Sequence, residues 1–290
     1  MMKKPLISVL MTIYKDKDYL GEAVESILSQ TYKNFEFLII AEPETPSESL
    51  EIIRSFNDKR IRLIINIKHL GFSNSLNKGI RLARGKYIAR MDADDISTRN
   101  RLLIQLIYME LHVKVMVCGT NVYMINSVGE IMNISRFPVN EKAIKIWLYF
   151  ACVIFHPTVM FRKSIYATDK CLYKKQQAED YELWTRICQK YNIRNLRGAL
   201  LKRRIHSNNS ICLNKQEMYQ KTVEIQKRIW NSMGIPIDIS IPFYETGELT
   251  PKEIRKRIKY INELEQKIPC FIGKKQIFHD IRKAIIPNEY

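Results

Sequence analysis

The chain has 290 residues, 46% of them hydrophobic and 27% charged, enough for one large folded domain with a substantial core. Six cysteines, at positions 118, 152, 171, 188, 212 and 270, form no CxxC pair, so their spacing favours reduced thiols over a disulfide frame or a structural zinc site. The net charge is +17, and most of the excess lies in residues 101–214, with 17 basic and 7 acidic side chains. Such a balance suits nucleic acid, an anionic membrane surface or phosphorylated substrates, or simply a solvated lysine-rich surface.

The first residues, Met1-Met2-Lys3-Lys4, open like a signal peptide, but the apolar run ends at Tyr14-Lys15-Asp16 with no small-residue cleavage site. A buried first strand over residues 7–13 is the better reading. Residues 18–30 follow as a helix, with Leu20, Val24, Ile27 and Leu28 on one face. Residues 35–41 read as a second strand, 49–56 as a helix, 61–67 as a third strand and 72–84 as a helix closed by Gly85 as a C-cap. Residues 86–91 make a fourth strand. This β-α-β alternation predicts a mainly parallel α/β sheet with helices on both faces, whose ligands collect at the carboxyl ends of the strands. Tyr14, Glu42 and Asp92 stand at three such ends.

Further along, residues 98–111 read as a helix, 113–118 and 121–125 as two strands, and Asn126-Ser127-Val128-Gly129 as a turn. Asn140 caps a helix running to about residue 149. The apolar stretch 146–155 is too short to span a bilayer, and no transmembrane segment is predicted. From Lys215 onward the pattern is mostly helical, and Thr250-Pro251-Lys252-Glu253 carries the marks of a helix start.

The sharpest chemical feature is Ala89-Arg90-Met91-Asp92-Ala93-Asp94-Asp95. Three carboxylates crowded at a strand end raise one another's pKa, a conflict that a divalent cation removes; hard oxygen ligands suit Mg²⁺ or Mn²⁺. The ordinary alternative is a loop whose acids cap the next helix. In Gln177-Ala178-Glu179-Asp180-Tyr181-Glu182-Leu183-Trp184, residues Glu179 and Asp180 fall at a helix N-terminus. The helix dipole alone explains acids there, but a carboxylate can also serve as a general base. Tyr14 could stack on a base, Glu42 could accept hydrogen bonds from a base or ribose, and Arg203-Arg204-Ile205-His206-Ser207-Asn208-Asn209-Ser210 offers cations and donors for a pyrophosphate. Each of these, read alone, is an ordinary loop feature.

Taken together, the stretches resemble glycosyltransferase family 2, the inverting sugar transferases of GT-A fold. The carrying residues are Ile7-Ser8-Val9-Leu10-Met11-Thr12-Ile13-Tyr14, Ala23-Val24-Glu25-Ser26-Ile27-Leu28-Ser29-Gln30-Thr31-Tyr32, Leu76-Asn77-Lys78-Gly79-Ile80 and Gly85 to Asp95. His156-Pro157-Thr158-Val159-Met160-Phe161-Arg162, Glu179 to Trp184 and Arg204-Ile205-His206 complete the likeness. It spans about residues 5–212 and implies a GT-A domain at 1–212, with a nucleotide-binding half at 1–95 and an acceptor half at 96–212, followed by a helical extension at 213–290.

Carried over by position, the resemblance implies that Thr12, Tyr14, Glu42, Asn77, Asp92 and Arg204 bind the nucleotide. Asp94, Asp92 and His206 would serve the metal, Mn²⁺ or Mg²⁺, with Asp95 supporting the loop. Asp180 would be the catalytic base and Glu179 its neighbour near the acceptor. Two departures stand out. Relatives carry paired aspartates where this chain has Ala41-Glu42-Pro43-Glu44, which leaves the nucleotide open, and Leu76 stands where many relatives place an arginine, which removes a phosphate or base contact.

The implied reaction is an in-line transfer from a nucleotide-diphosphate sugar, UDP favoured, to a hydroxyl of a cell-surface glycan or lipid-linked acceptor. Lipopolysaccharide core, O-antigen and capsule intermediates are the implied acceptors, at a cytoplasmic location with peripheral contact to an anionic membrane and no nucleic-acid partner. Arg162, Lys163, Lys174, Lys175, Lys202, Arg203 and Arg204 could draw in an anionic acceptor. A sugar-phosphate nucleotidyltransferase is one rival, though Tyr14-Lys15-Asp16-Lys17-Asp18 holds no glycine for a phosphate loop. A non-catalytic nucleotide-sugar or nucleic-acid binder is another, though no aromatic-rich RNA signature accompanies the basic residues.

Overall fold

The structure is a computed structural model that describes residues 5–169, 172–206, 215–240, 242–245 and 249–286. In chain order the first elements are β1 (Ile7–Ile13), α1 (Leu20–Leu28), β2 (Phe35–Ala41), α2 (Ser47–Ser55), β3 (Ile61–Ile65), α3 (Phe72–Leu82) and β4 (Tyr87–Met91). These match the expected β-α-β alternation to within a few residues. Then come β5 (Ile96–Ser97), α4 (Arg101–Leu111), β6 (Val115–Ile125), β7 (Ile131–Ser135), α5 (Glu141–Trp147), a single 3-10 turn (His156–Thr158) and β8 (Met160–Arg162). The chain continues through α6 (Ser164–Asp169), α7 (Glu179–Lys190), β9 (Asn192–Arg204), α8 (Lys215–Asn231), α9 (Pro251–Lys267) and α10 (Lys274–Ile285).

One sheet runs β3-β2-β1-β4-β8-β6-β9-β5, with β7 added to β6 as a hairpin. Strands β3, β2, β1 and β4 are mutually parallel, while β8 is antiparallel to both β4 and β6. Central strands carry apolar residues on both faces because both are covered. Ile7, Val9 and Met11 pack with α1, α2 and α4. Leu10, Leu38 and Ile88 pack with α3, α5 and α7 on the other face. A third core joins α5 to α8, α9 and α10 through Phe150, Trp230, Phe243 and Ile281. The C-terminal helices are therefore docked on the sheet domain by a core of their own.

Two sequence expectations change. Gly85 does not cap α3 in a left-handed conformation; the C-cap is Ala83, in extended backbone. Gly85 is needed for close approach instead, since a Cβ there would sit 2.5 Å from the Ser8 amide nitrogen. The two strands expected at 113–118 and 121–125 are the single strand β6, which bends through register shifts around Val115 and Asn121 rather than breaking. Leu76, which stands where many relatives place an arginine, is wholly buried in the core under the sheet.

The Asn140 cap of α5 and the capping box at Thr250 form as the sequence requires. The expected boundary between 212 and 213 lies outside the described residues, as do Met1 to Lys4, Cys171, Cys212 and Ser207 to Ser210. The described cysteines 118, 152, 188 and 270 are free thiols. No described helix is long and apolar enough to cross a membrane.

Candidate active site

Strand β4 is fully buried, so the chain leaves the sheet at Asp92 between two packed faces. Asp92, Asp94 and Asp95 present carboxylate oxygens that all lie within 4.8 Å of one another. Burial raises the pKa of Asp92 and raises that of Asp95 well above the usual carboxylate range. Their mutual charges add to that rise, while Arg90 opposes it at Asp92 and Arg203 opposes it at both. Asp16 in the β1–α1 loop is likewise raised by burial, with Asp94 and Asp92 adding, although the Tyr14 amide donates to it at 2.9 Å. Carboxylates this crowded fit a divalent cation, whose charge removes the conflict.

The rest of the loop is held by β9. The Arg204 amide donates to Asp95 Oδ1 at 3.0 Å, and His206 Nε2 lies 3.0 Å from Asp94 Oδ2. The Arg204 guanidinium is buried. It donates to the carbonyls of Asp94 at 3.2 Å and Ser127 at 2.9 Å, pairs with Glu22 of α1, and lies 4.2 Å from the Tyr19 ring. The pyrophosphate contact expected of Arg204 competes with all these bonds.

On the nucleotide side, Thr12 Oγ1 is buried with no hydrogen-bond partner among the described residues, an orphan that a ligand could satisfy. Tyr14 is 40% exposed, its ring edge-on to His69 at 5.5 Å. Glu42 is buried, and its carboxylate accepts from Leu70 N at 3.0 Å, Ser75 Oγ at 2.7 Å and Asn66 Nδ2 at 3.2 Å. Burial pushes Glu42 up, but these donors outweigh it and hold it below the usual range. It thus ties the end of β2 to the segment entering α3. Glu42, Glu44 and His69 also have the spacing of a metal group, but Glu42 already accepts three hydrogen bonds. Asn77 Nδ2 donates to Tyr173 O at 2.8 Å and its Oδ1 accepts from Tyr173 N at 3.0 Å, clamping the segment that leads into α7.

Glu179 and Asp180 open α7, behind Ala178 in the left-handed conformation with φ 53°. Asp180 Oδ1 accepts from Tyr181 N at 2.7 Å, and the Cys152 thiol lies 3.9 Å from Oδ2. Burial lifts Asp180 to about 6, and the charge of Asp92 adds to it. Burial lifts Glu179 to about 8, followed by the charge of Asp180. Arg90 opposes both shifts. The two acid clusters, nearly ninety residues apart in sequence, are therefore within electrostatic reach of one another. A cavity of 620 Å³ lined by Ile80, Arg81, Lys86, Lys163 and Tyr166 lies at the amino end of β4, away from these carboxylates.

Arg90 is the residue to which sequence reasoning assigned no role. Only 1% exposed at its side chain, it pairs with Asp92, donates to the Met91 carbonyl and lies 5.2 Å from the Phe72 ring, while its Nε has no partner among the described residues. A lone charge inside an apolar strand was the available signal. Asp16, Cys152 and Tyr173 were also unassigned to the site, and nothing in their local sequence marks them.

The sequence model of glycosyl transferase family 2 matches residues 8–169. A glycosyltransferase of Methanocaldococcus jannaschii is 36% identical over 227 residues, covering 75% of this chain and 78% of the relative. The Escherichia coli O-antigen biosynthesis glycosyltransferase WbnJ is 34% identical over 206 residues, covering 70% and 80%. Among solved structures, residues 1–349 of Staphylococcus aureus TarS in complex with UDP-GlcNAc align with a TM-score of 0.63 at 15% identity, covering 97% of this chain and 88% of that one. This chain spans 53% of the longer TarS structure. A Pyrobaculum calidifontis mannosyltransferase in complex with GDP-Man and Mn²⁺ aligns at 0.57 and 12% identity, covering 97% and 74%. These structural likenesses give the fold, the GT-A type.

Proposed function

The chain belongs to glycosyl transferase family 2, and from that premise we propose that it inverts the anomeric carbon of a nucleotide-diphosphate sugar, UDP favoured, as it passes the sugar to a glycan hydroxyl. What carries the reading is the placement of both acid clusters around one buried cation, Arg90, which pairs with Asp92 and lowers Asp180, while the charge of Asp92 raises Asp180. It supports a donor diphosphate on the β4 side and an acceptor hydroxyl on the α7 side of one sugar carbon.

Asp180 takes the proton of the attacking hydroxyl. A carboxylate lifted to about 6 is still ionised at neutral pH yet is a stronger base than an ordinary aspartate. Glu179, beside it, borders the acceptor. Thr12 and Tyr14 line the base, and Asp92, oriented by Arg90, meets the ribose. Asp94, with Asp92 and with His206 beside it, would hold a divalent cation, Mn²⁺ or Mg²⁺, which would supply Lewis-acid neutralisation of the departing nucleoside diphosphate. Arg204 and Glu42 act one step back, holding the acidic loop and the β2 end in place.

The relative WbnJ, an O-antigen biosynthesis glycosyltransferase, supports an O-antigen type acceptor, and the net charge of +17 supports a peripheral contact between this chain and an anionic bilayer. A donor screen tests the reading. Release of nucleoside diphosphate is measured with UDP-, GDP- and dTDP-sugars, with and without Mn²⁺. One donor is expected to turn over in a metal-dependent way. Release of pyrophosphate from a nucleoside triphosphate and a sugar phosphate, with no diphosphate release from any sugar donor, overturns it.

A further inference from the structure

The turn joining α9 to α10 has the wrong chemistry for an ordinary turn. Helix–helix connections are built from polar residues, Gly and Pro, because the backbone there must be solvated. Here the connection reads Ile268-Pro269-Cys270-Phe271-Ile272-Gly273. Pro269, Cys270 and Ile272 are exposed, and Ile272 fully so, at 102%. Ile268 and Phe271 are half-buried against the C-terminal core, which anchors the turn while its tip projects. Single exposed apolar side chains are common on soluble proteins, but a contiguous run on a projecting turn is not.

The charges around the tip carry the argument further. Lys142 of α5 lies 4.7 Å from the Phe271 ring, and Lys267, Lys274 and Lys275 bracket the apolar run. Lys274 Nζ reaches back to the Ile268 carbonyl at 2.5 Å, and Lys275 is exposed. Lys274 and Lys275 occupy the first turn of α10, which holds no acid. The helix dipole disfavours cations at that end, so these two lysines oppose helix stability where they stand. An external anion reverses that penalty, meeting both the ammonium groups and the helix N-terminus. Across the described residues 249–286 there are ten basic and four acidic side chains, so the surroundings reinforce the same sign.

We infer that the α9–α10 turn docks this chain on an anionic lipid bilayer. Ile272 enters the acyl boundary while Lys142, Lys274 and Lys275 meet lipid phosphates. An apolar tip with a cationic rim fits a charged membrane surface, since neither a neutral bilayer nor free phosphate uses both halves. The inference names the surface behind the peripheral contact proposed above, and rests on that reading.

Co-sedimentation of the full chain with vesicles of mixed phosphatidylglycerol and phosphatidylcholine, against phosphatidylcholine alone, is the test. Binding is expected to the anionic vesicles and to weaken with added salt. Ile272→Asp and the pair Lys274→Glu with Lys275→Glu should each lower the partition coefficient about tenfold or more. Ile104→Asp, at another exposed apolar position on α4, should leave it unchanged. Diphosphate release from soluble donor, measured on the same preparations, reads the transfer reaction separately and should be wild-type in every variant. Equal binding to both vesicle types, or wild-type binding by Ile272→Asp, overturns the inference. So does an Ile272-dependent dimer that ignores vesicles, which would assign the tip to a second copy of the chain.

Discussion

The two acid clusters make an instructive pair. Both are lifted by burial, yet their surroundings differ. The Asp92–Asp94–Asp95 cluster has two arginines near it, Arg90 pairing with Asp92 and Arg203 acting on Asp92 and Asp95, while the His206 ring lies against Asp94. Glu179 and Asp180 have a thiol, a tyrosine and backbone amides near them, with Arg90 a cation that lowers both. A cluster of mutually repelling carboxylates beside Arg90 and Arg203 is arranged so that a bound cation relieves the conflict. A pair raised to about 8 and about 6 is arranged to gain and lose protons. Identical side-chain chemistry is thus divided into two tasks by its neighbours.

The largest effect that separates the clusters comes from Asp180→Asn. Turnover is expected to fall by about 10²–10⁴-fold while nucleotide-sugar binding by calorimetry is kept, since the donor side is untouched. The same substitution should raise the melting temperature at neutral pH. The folded pKa of Asp180 lies above its unfolded value, so its stabilising contribution is complete below about 4, where it is protonated in both states. That contribution is lost as pH rises through about 6. Asparagine mimics the protonated form throughout. In the wild-type enzyme, kcat should fall on the acid side of about 6, and a flat profile down to the ordinary aspartate range would remove Asp180 from the role of base.

Asp94→Asn probes the other cluster and should act more mildly at saturating metal. Half-activation should require about a hundredfold more Mn²⁺ or beyond, with the acid limb of the pH profile in place. A shifted limb with unchanged metal demand would erase the division of labour between the clusters.

Much of this was open to sequence reading in one half of the molecule and closed in the other. In residues 7–91 local physics and tertiary structure agree. Apolar β-rich runs are buried on both faces, helical faces have a clear period, and the acids fall where a strand must end. In the second half the signals are non-local. Strand β9 pairs in parallel with β6 across some seventy residues, and no local pattern announces it. Arg204 and Glu42 were expected at the ligand because their types suit one. Their bonds to Glu22, Asp94, Leu70 and Ser75 come from elements that only the fold assembles. The buried Arg90 was legible as an anomaly, a charge in an apolar strand, but its tie to both acid clusters depends on where α7 packs.

The support of the clusters differs as well, and this gives the smallest and most specific effect. The acidic loop is fixed from within the sheet by β9. The base side is fixed from outside, by α8. Gln226 Nε2 donates to the Phe150 carbonyl at 2.6 Å, and Trp230 Nε1 to the Tyr149 carbonyl at 2.7 Å. Arg228 reaches Glu182 Oε1 and Thr185 Oγ1 of α7, each at 3.1 Å. The gripped segment leads directly to Cys152, which touches Asp180. Gln226→Leu should therefore lower kcat about tenfold, because near-attack geometry at the base tolerates little displacement, while donor KM and metal demand stay at wild-type values. Counting active sites by nucleotide-binding stoichiometry removes any contribution from misfolded protein. If kcat per active site is unchanged although the melting temperature drops, α8 only stabilises the fold, and the base owes its position to α7 alone.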